Sequence, residues 1–252
     1  MAALAPFARG LAAFAFAIGL WQVVVWLTGV PHFILPSPER VARALVNSRA
    51  LIAQNAVVTF AQILAGLALG AALGVITALQ LVSSPTARLL LRPVIVFAQA
   101  VPIFALAPIL TLWLGYGMGS KIVTVVLIIY FPVASAFYDG LMRTPRGLLD
   151  LAQTMNASPW RTILRLRLPN AVPSLASGMR LAAVYAPFGA VIGEWVGASR
   201  GLGYLMLLAN GRAQTDLMFA ALFVLAAFTV LLHATIDRAG AALTRRFAEP
   251  EG

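Results

Sequence analysis

The sequence predicts an all-α protein that crosses a membrane several times. Of its 252 residues, 61% are hydrophobic and only 10% are charged, and the mean hydropathy is +0.91, whereas soluble domains carry about 25% charged residues. Several apolar runs reach the roughly 18 to 20 residues that a helix needs to cross a hydrocarbon core about 30 Å thick. These runs are too long for the strands of a membrane barrel. The predicted architecture is a helical bundle embedded in lipid.

The apolar runs predict six spans and one transmembrane domain that covers residues 1–252. The N-terminus resembles a signal peptide, but it has no clear small-x-small cleavage site before Pro31, so we expect a retained first span. The spans are predicted at about 11–28, 56–82, 90–114, 121–138, 173–196 and 217–236.

Local signals describe the second and third spans. An amphipathic helix over 37–54, capped by Ser37 with Pro38 in its first turn, is expected to lie at the interface before span two. The glycines of span two have small-xxx-small spacing, which favours close helix packing either within the chain or between subunits. Span three holds Pro93, Pro102 and Pro108, so it is expected to be kinked and buried in the bundle.

The formal net charge of +10 comes from arginines that lie mainly in loops. Such loops are typical of membrane proteins with positive cytoplasmic sides, and nucleic acid is not an expected partner. Placing both termini in the cytoplasm puts most of the basic residues there. The chain has no cysteine, which excludes disulfides and thiolate metal sites.

The predicted cytoplasmic loop 139–170 carries turn signals rather than the composition of a disordered segment. Thr144 and Pro145 predict the start of a short helix that ends near Asn156. Ser158 and Pro159 then predict the start of a second helix that runs to Leu168-Pro169. We call residues 148–166 the elbow. Its apolar face is too short to span a membrane, so a groove on a partner protein is its expected binding site.

The elbow resembles the EAA motif of bacterial ABC importer permeases with the type I fold. The resemblance lies in the segment Asp150–Asn156 followed by Leu168-Pro169, with Asp150 in place of the family's Glu, Leu151 in place of its first Ala, and Asn156 in place of its Gly. The segments 34–38, 113–121, 193–195 and 201–203 are similar to the nitrate, sulfonate and taurine branch. Residues 193–216 look most like permeases for pyrimidine precursors of thiamine.

The resemblance implies a six-helix permease with a cytoplasmic coupling helix in the bacterial inner membrane. Its implied partners are two copies of an ABC ATPase that bind ATP and Mg, a second copy of the permease, an extracytoplasmic (periplasmic) solute-binding protein and membrane lipid. No cofactor is implied in this chain. The implied ATPase contacts are Leu149, Asp150, Leu151, Ala152, Met155, Asn156, Ala157, Trp160, Leu168 and Pro169.

Three residues in the fifth span are candidates for the translocation pathway. Glu194 is the one acid inside an apolar run, and its expected place is a gate or outer rim, the pathway, or an exposed interface. Trp195 beside it could receive an aromatic substrate. Arg180 is expected near the inner interface, with a place in the cavity as the alternative.

The sequence offers no support for catalysis. The glycines near Lys121 lack the G-K-S/T order of a Walker loop and predict a tight turn instead. His32 and His233 have no ligand partners at metal spacing. The rival interpretations are a secondary transporter or channel, which would need more polar groups within the bilayer, and a membrane-embedded enzyme, which would need a catalytic constellation.

Overall fold

The computed structural model describes residues 4–247, and within that range the secondary structure is entirely helical. The eleven helices are α1 (Leu4–Thr28), α2 (Pro38–Asn47), α3 (Arg49–Ser83), α4 (Pro85–Ala100), α5 (Ile103–Leu114), α6 (Met118–Met142), α7 (Arg146–Thr154), α8 (Pro159–Thr162), α9 (Leu168–Gly197), α10 (Leu202–Gly211) and α11 (Thr215–Phe247). A π-helical turn, Ile163–Arg167, joins α8 to α9.

Four helical segments are long and apolar enough to cross a membrane. They are α3, α6, the continuous stretch Pro159–Gly197 and α11. Each contains one of the predicted spans. The first predicted span lies in α1, whose described apolar part is Ala12–Thr28, and the third is divided between α4 and α5.

The centre of the bundle is α6, which packs against α3 on one side and α9 on the other. The contact with α3 is close because glycines face branched side chains. A Cβ atom on Gly70 would lie 2.6 Å from Cγ1 of Ile129, and one on Gly66 would collide with the side chain of Val125. The glycines of span two therefore serve packing within the chain, which confirms one of the two predicted uses.

The predicted third span is two helices rather than one kinked helix. Helix α4 ends at Ala100 and α5 begins at Ile103, with Val101 and Pro102 in extended conformations between them. The prediction of a kink was wrong in degree, and the prediction of burial was wrong for much of the span, since Phe97 and Leu112 are 72% and 80% exposed. Pro93 and Pro108 are each accommodated inside a helix, whereas at Pro102 the chain leaves the helical conformation altogether.

The connecting segments also differ from the predicted boundaries. Ser37 caps α2 by accepting a hydrogen bond from the amide of Arg40, as predicted, but α2 ends at Asn47 and the rest of the predicted interfacial helix is the first turn of α3. Helix α10 was not predicted as a separate element. It packs against α11, α9 and α3 at the end of the bundle where α9 terminates.

Candidate functional site

The elbow is built by local capping at both of its turns. Helix α7 ends in a Schellman motif: Asn156 has φ +50°, its amide donates to Gln153 O at 3.0 Å, and the amide of Ala157 donates to Ala152 O at 2.9 Å. Ser158 then caps α8 by accepting from the amide of Arg161 at 3.3 Å. The predicted turn and second cap are confirmed.

The predicted N-cap at Thr144, just before the elbow, was wrong. The hydroxyl of Thr144 does not cap α7; it is buried and donates backwards to the carbonyl of Leu141 at 3.2 Å. The cap position of α7 is Pro145, which makes no side-chain hydrogen bond there. The Thr144 hydroxyl therefore stabilises the C-terminal end of α6 and not the start of α7.

The exposed side of the elbow is apolar. Leu151, Met155 and Trp160 are 56%, 73% and 55% exposed, and Leu164 is exposed beside them. We call these four residues the elbow face. Large apolar side chains grouped on a surface that is otherwise polar mark a site of protein or membrane contact.

The other predicted contact residues divide between the elbow surface and the bundle. Asp150 and Asn156 are exposed, while Leu149, Ala157, Leu168 and Pro169 are half-buried. Ala152 is only 7% exposed and faces inward. The structure therefore places Ala152 against the rest of the chain rather than on the elbow face.

The elbow continues directly into α9. No residue between Pro159 and Gly197 leaves the helical conformation, because the π-helical turn bridges the two α-helices. The guanidinium of Arg167 donates to the carbonyl of Leu141 at 3.3 Å, which ties this turn to the end of α6. A force applied to α8 therefore reaches α9 through an uninterrupted helix, whereas α7 is joined to α8 by the turn at residues 155–158.

A second polar cluster lies at the other end of α9, where Glu194 holds the start of α10. Its carboxyl oxygens accept from the amide of Gly203 at 2.6 Å, the amide of Tyr204 at 3.4 Å and the hydroxyl of Thr59 at 2.7 Å. Thr59 in turn accepts from the amide of Leu202 at 2.7 Å. We call this network, completed by Asn55, the Glu194 cluster.

The Glu194 cluster satisfies all four amides from Gly201 to Tyr204, the groups that a helix N-terminus leaves without intrahelical partners. Asn55 Oδ1 accepts from the amide of Gly201 at 2.8 Å. Gly201 has φ +125°, and a Cβ atom there would collide with the carboxyl group of Glu194. Only glycine fits this position.

Lys121 stabilises the same connection from the opposite side. It is 1% exposed, and its ammonium group donates to the carbonyls of Gly197 at 2.9 Å and Tyr116 at 3.0 Å. A cation at the C-terminus of α9 and an acidic side chain at the N-terminus of α10 both complement the helix dipoles. The predicted tight turn is present around Gly115, but Lys121 is buried beyond it in α6.

The three predicted pathway residues do not form one site. Glu194 is 1% exposed, which rules out interfacial exposure, one of its three predicted alternatives. Trp195 donates its indole N–H to the carbonyl of Gly203 at 3.0 Å. Arg180 pairs with Asp237 of α11 at 3.1 Å, and fourteen residues of helix separate it from Glu194, which is about 21 Å.

An apolar groove of about 910 Å³ lies between the broken α4–α5 segment and helices α6 and α9. Its walls include Phe97, Phe131, Tyr130 and Tyr185. Gln99 lines it beside the helix break. The predicted pathway residues are absent from its described lining.

The bundle, its four apolar helices and the elbow define a multi-pass helical membrane protein with a protruding apolar contact surface. Residues 70–249 match the family described as binding-protein-dependent transport system inner membrane component. The chain belongs to this family and is the non-catalytic permease component of an ABC transporter. Membership decides against the secondary-transporter, channel and enzyme alternatives.

Relatives of similar sequence agree with this assignment. The chain is 53% identical to a probable ABC transporter permease protein of Haemophilus influenzae, over 86% of this chain and 89% of the relative. It is 35% identical to the formylaminopyrimidine transport permease protein ThiX of Halalkalibacterium halodurans (87% and 88%). It is 30% identical to the putative aliphatic sulfonates transport permease protein SsuC of Bacillus subtilis (86% and 80%).

The fold is similar to a chain of the MetNI methionine ABC transporter in an inward-facing conformation. The TM-score is 0.62 at 20% sequence identity, over 78% of this chain and 95% of that chain. At this identity the similarity supports the fold alone.

Proposed function

We propose that the chain folds as a type I permease domain with six spans and both termini in the cytoplasm of a bacterial cell. Two copies would form the translocation pathway, with two ABC ATPase subunits that bind ATP and Mg and one extracytoplasmic solute-binding protein. The proposal rests on membership of the family, the six apolar segments and the excess of arginine in the loops that this orientation places in the cytoplasm.

The elbow is the proposed coupling helix, and its exposed apolar face carries the proposal. Leu151, Met155 and Trp160 are large apolar side chains exposed on the segment that precedes α9, which suits insertion into a cleft of the ATPase. ATP binding would close the ATPase dimer, move the elbow and tilt α9, so that the pathway opens outward. ATP must favour one orientation through contacts that exist only in that orientation.

The proposed cargo is a small organic solute of one of two classes. The relatives are named for formylaminopyrimidine and for aliphatic sulfonates. The first is a neutral nitrogen heterocycle, and the second class consists of anions. An anion needs a positively charged or hydrogen-bond-donating site, whereas a neutral heterocycle needs no counter-ion, so the charge of the pathway lining can distinguish the two classes.

The coupling proposal is tested by charged substitutions on the elbow face. Leu151→Glu and Met155→Glu should abolish copurification of ATP-hydrolysing activity with the tagged chain. Gln153→Glu is the matched control, because residue 153 is exposed on the same helix but lies about 200° around the axis from both 151 and 155. Wild-type ATPase recovery with both elbow-face variants would contradict the proposal.

A further inference from the structure

The groove between α4, α5, α6 and α9 contains a few polar groups among mostly apolar side chains. The side chains of Gln99, Ser135 and Tyr185 line it, and no hydrogen bond joins any of them to another described residue. An acyl chain in the groove would leave these groups without partners, which is unfavourable in an apolar medium. The groove is therefore better matched to a solute with polar edges than to lipid.

The break between α4 and α5 adds backbone groups to the same wall. Neither helix crosses the membrane alone, since 16 and 12 residues extend only about 24 Å and 18 Å. Pro102, at the cap position of α5, makes no side-chain cap, so the first amides of α5 have no side-chain acceptor there. Irregular backbone inside a bilayer is tolerated where it lines a cavity, and discontinuous helices commonly form solute sites.

The charge of the groove selects between classes of solute. None of its lining side chains is Lys, Arg or His, and it has one carboxyl group, that of Asp139. The nearest cation along α4 is Arg92 in a neighbouring groove, seven residues before Gln99, or about 10 Å away. A sulfonate or nitrate would enter this apolar space without a counter-ion, and removal of an unpaired anion from water costs several kcal/mol.

The aromatic side chains that line the groove favour a flat ring. Tyr130 and Phe131 contribute aromatic rings from α6, Tyr185 contributes one from α9 and Phe97 one from α4. Aromatic faces stack on planar heterocycles, while the Gln99 amide can both donate to and accept from a ring edge. The volume of about 910 Å³ is within the range of small-molecule sites.

We propose that this groove is a transit site for a planar nitrogen heterocycle that is uncharged or cationic, and that it disfavours sulfonates and other anions. The inference rests on the proposed function, because it assigns the substrate class of the same pathway. Tyr185 and Gln99 are its main binding residues, with Asp139 at the end near the elbow.

The test measures solute binding to the purified full-length chain in lipid nanodiscs by saturation-transfer difference NMR. Cytosine and formylaminopyrimidine are the heterocycle probes, and methanesulfonate and taurine are the anionic and zwitterionic probes. We expect at least one heterocycle to bind at least about tenfold more tightly than methanesulfonate. Tyr185→Leu and Gln99→Leu should each weaken that binding several-fold. Tyr138→Leu, on α6 outside the groove lining, should leave it unchanged.

A charge substitution gives a second, independent measurement. Gln99→Arg supplies the missing counter-ion and should raise the affinity for methanesulfonate while it lowers that for the heterocycles. Three outcomes overturn the inference: equal or tighter binding of methanesulfonate by the wild type, no binding of any heterocycle at millimolar concentration, or heterocycle binding that both Leu variants leave intact. A groove that retains lipid throughout would give the second outcome, no binding of any heterocycle.

Failure of this inference can be distinguished from failure of the proposed function. The binding measurement uses the permease without its ATPase, so the Leu151→Glu and Met155→Glu variants should bind the probes normally. If those variants keep their ATPase while the probes bind as expected, the coupling proposal fails and the solute site stands. If coupling behaves as expected but methanesulfonate is preferred, only the solute site fails.

Discussion

Replacement of Glu194 by leucine should destabilise the connection between α9 and α10, whereas replacement by glutamine should be tolerated. Leucine removes the acceptor of the Gly203 amide, now at 2.6 Å, and of the more distant Tyr204 amide. Thr59 retains a partner, because its hydroxyl also lies 3.3 Å from the carbonyl of Asn55. A buried amide left without an acceptor costs about 1–3 kcal/mol; with the part-buried Tyr204 amide at the low end, about 1 kcal/mol, the expected loss is about 2–4 kcal/mol.

Glutamine keeps one oxygen for the two amides, and its NH₂ group can donate to the Thr59 hydroxyl oxygen. The expected cost of Glu194→Gln is therefore about 1 kcal/mol or less. Thermal unfolding of the purified variants should show a decrease in Tm of roughly 4–16 °C for leucine and a few degrees at most for glutamine. Hydrogen exchange of the amides at 201–204 should accelerate in the leucine variant alone.

The reasoning would be refuted if the leucine variant kept wild-type Tm and wild-type amide protection. It would also be refuted if glutamine proved as damaging as leucine, since the effect would then depend on the carboxyl group itself rather than on hydrogen-bond acceptance. Glu39→Gln is the matched control, because Glu39 is an exposed acid paired only with Arg43 one turn later on the same helix. That substitution should change stability by less than about 0.5 kcal/mol.

Three further substitutions test the packing and the caps. Gly66→Ala should cost about 1–3 kcal/mol because a Cβ atom would meet Val125; adding Val125→Ala should recover part of that loss in a double-mutant cycle followed by Tm. Lys121→Met should destabilise the chain by about 1–3 kcal/mol, since two carbonyls lose their buried donor, and unchanged unfolding would contradict this role. Ala213→Gly should stabilise the chain by about 1 kcal/mol, because residue 213 has φ +55°. The gain is measured as a rise in Tm.

The elbow could be predicted from the sequence because its determinants are local. Asn156, Ser158 and Pro159 act on residues within six positions of themselves, so their turn chemistry is readable without any tertiary information. The inward orientation of Ala152 could not be predicted from local sequence signals. The spacing of Leu148, Leu151, Ala152 and Met155 defined a helix face, but which side of α7 is buried depends on the packing of the whole chain.

The Glu194 cluster could not be predicted because its partners are distant in the chain. Thr59 and Asn55 lie 135 and 146 residues from the groups they bind. The available signal was an isolated acid followed by two glycines, at 201 and 203, which indicates a close approach of backbone to a side chain. Without a partner on another helix, that signal could not separate a structural role from a pathway role.

The break at Pro102 shows a similar limit. Prolines occur inside α4, α5, α6 and α9 without ending those helices. Each removes one hydrogen bond, and neighbouring helices decide whether the chain bends or leaves the helical path. The sequence therefore identifies an interrupted segment without identifying the proline at which it divides.

The most direct measurement is the position of Met155 relative to an ATPase subunit. The chain has no cysteine, so a single thiol introduced by Met155→Cys can be crosslinked without background, with Gln153→Cys as the control on the opposite side of α7. The account predicts that the Met155→Cys variant crosslinks to the ATPase with a yield that changes when ATP is added, and that the Gln153→Cys variant does not crosslink. Equal yields for the two variants, or labelling of the Met155→Cys thiol from outside intact cells, would contradict it.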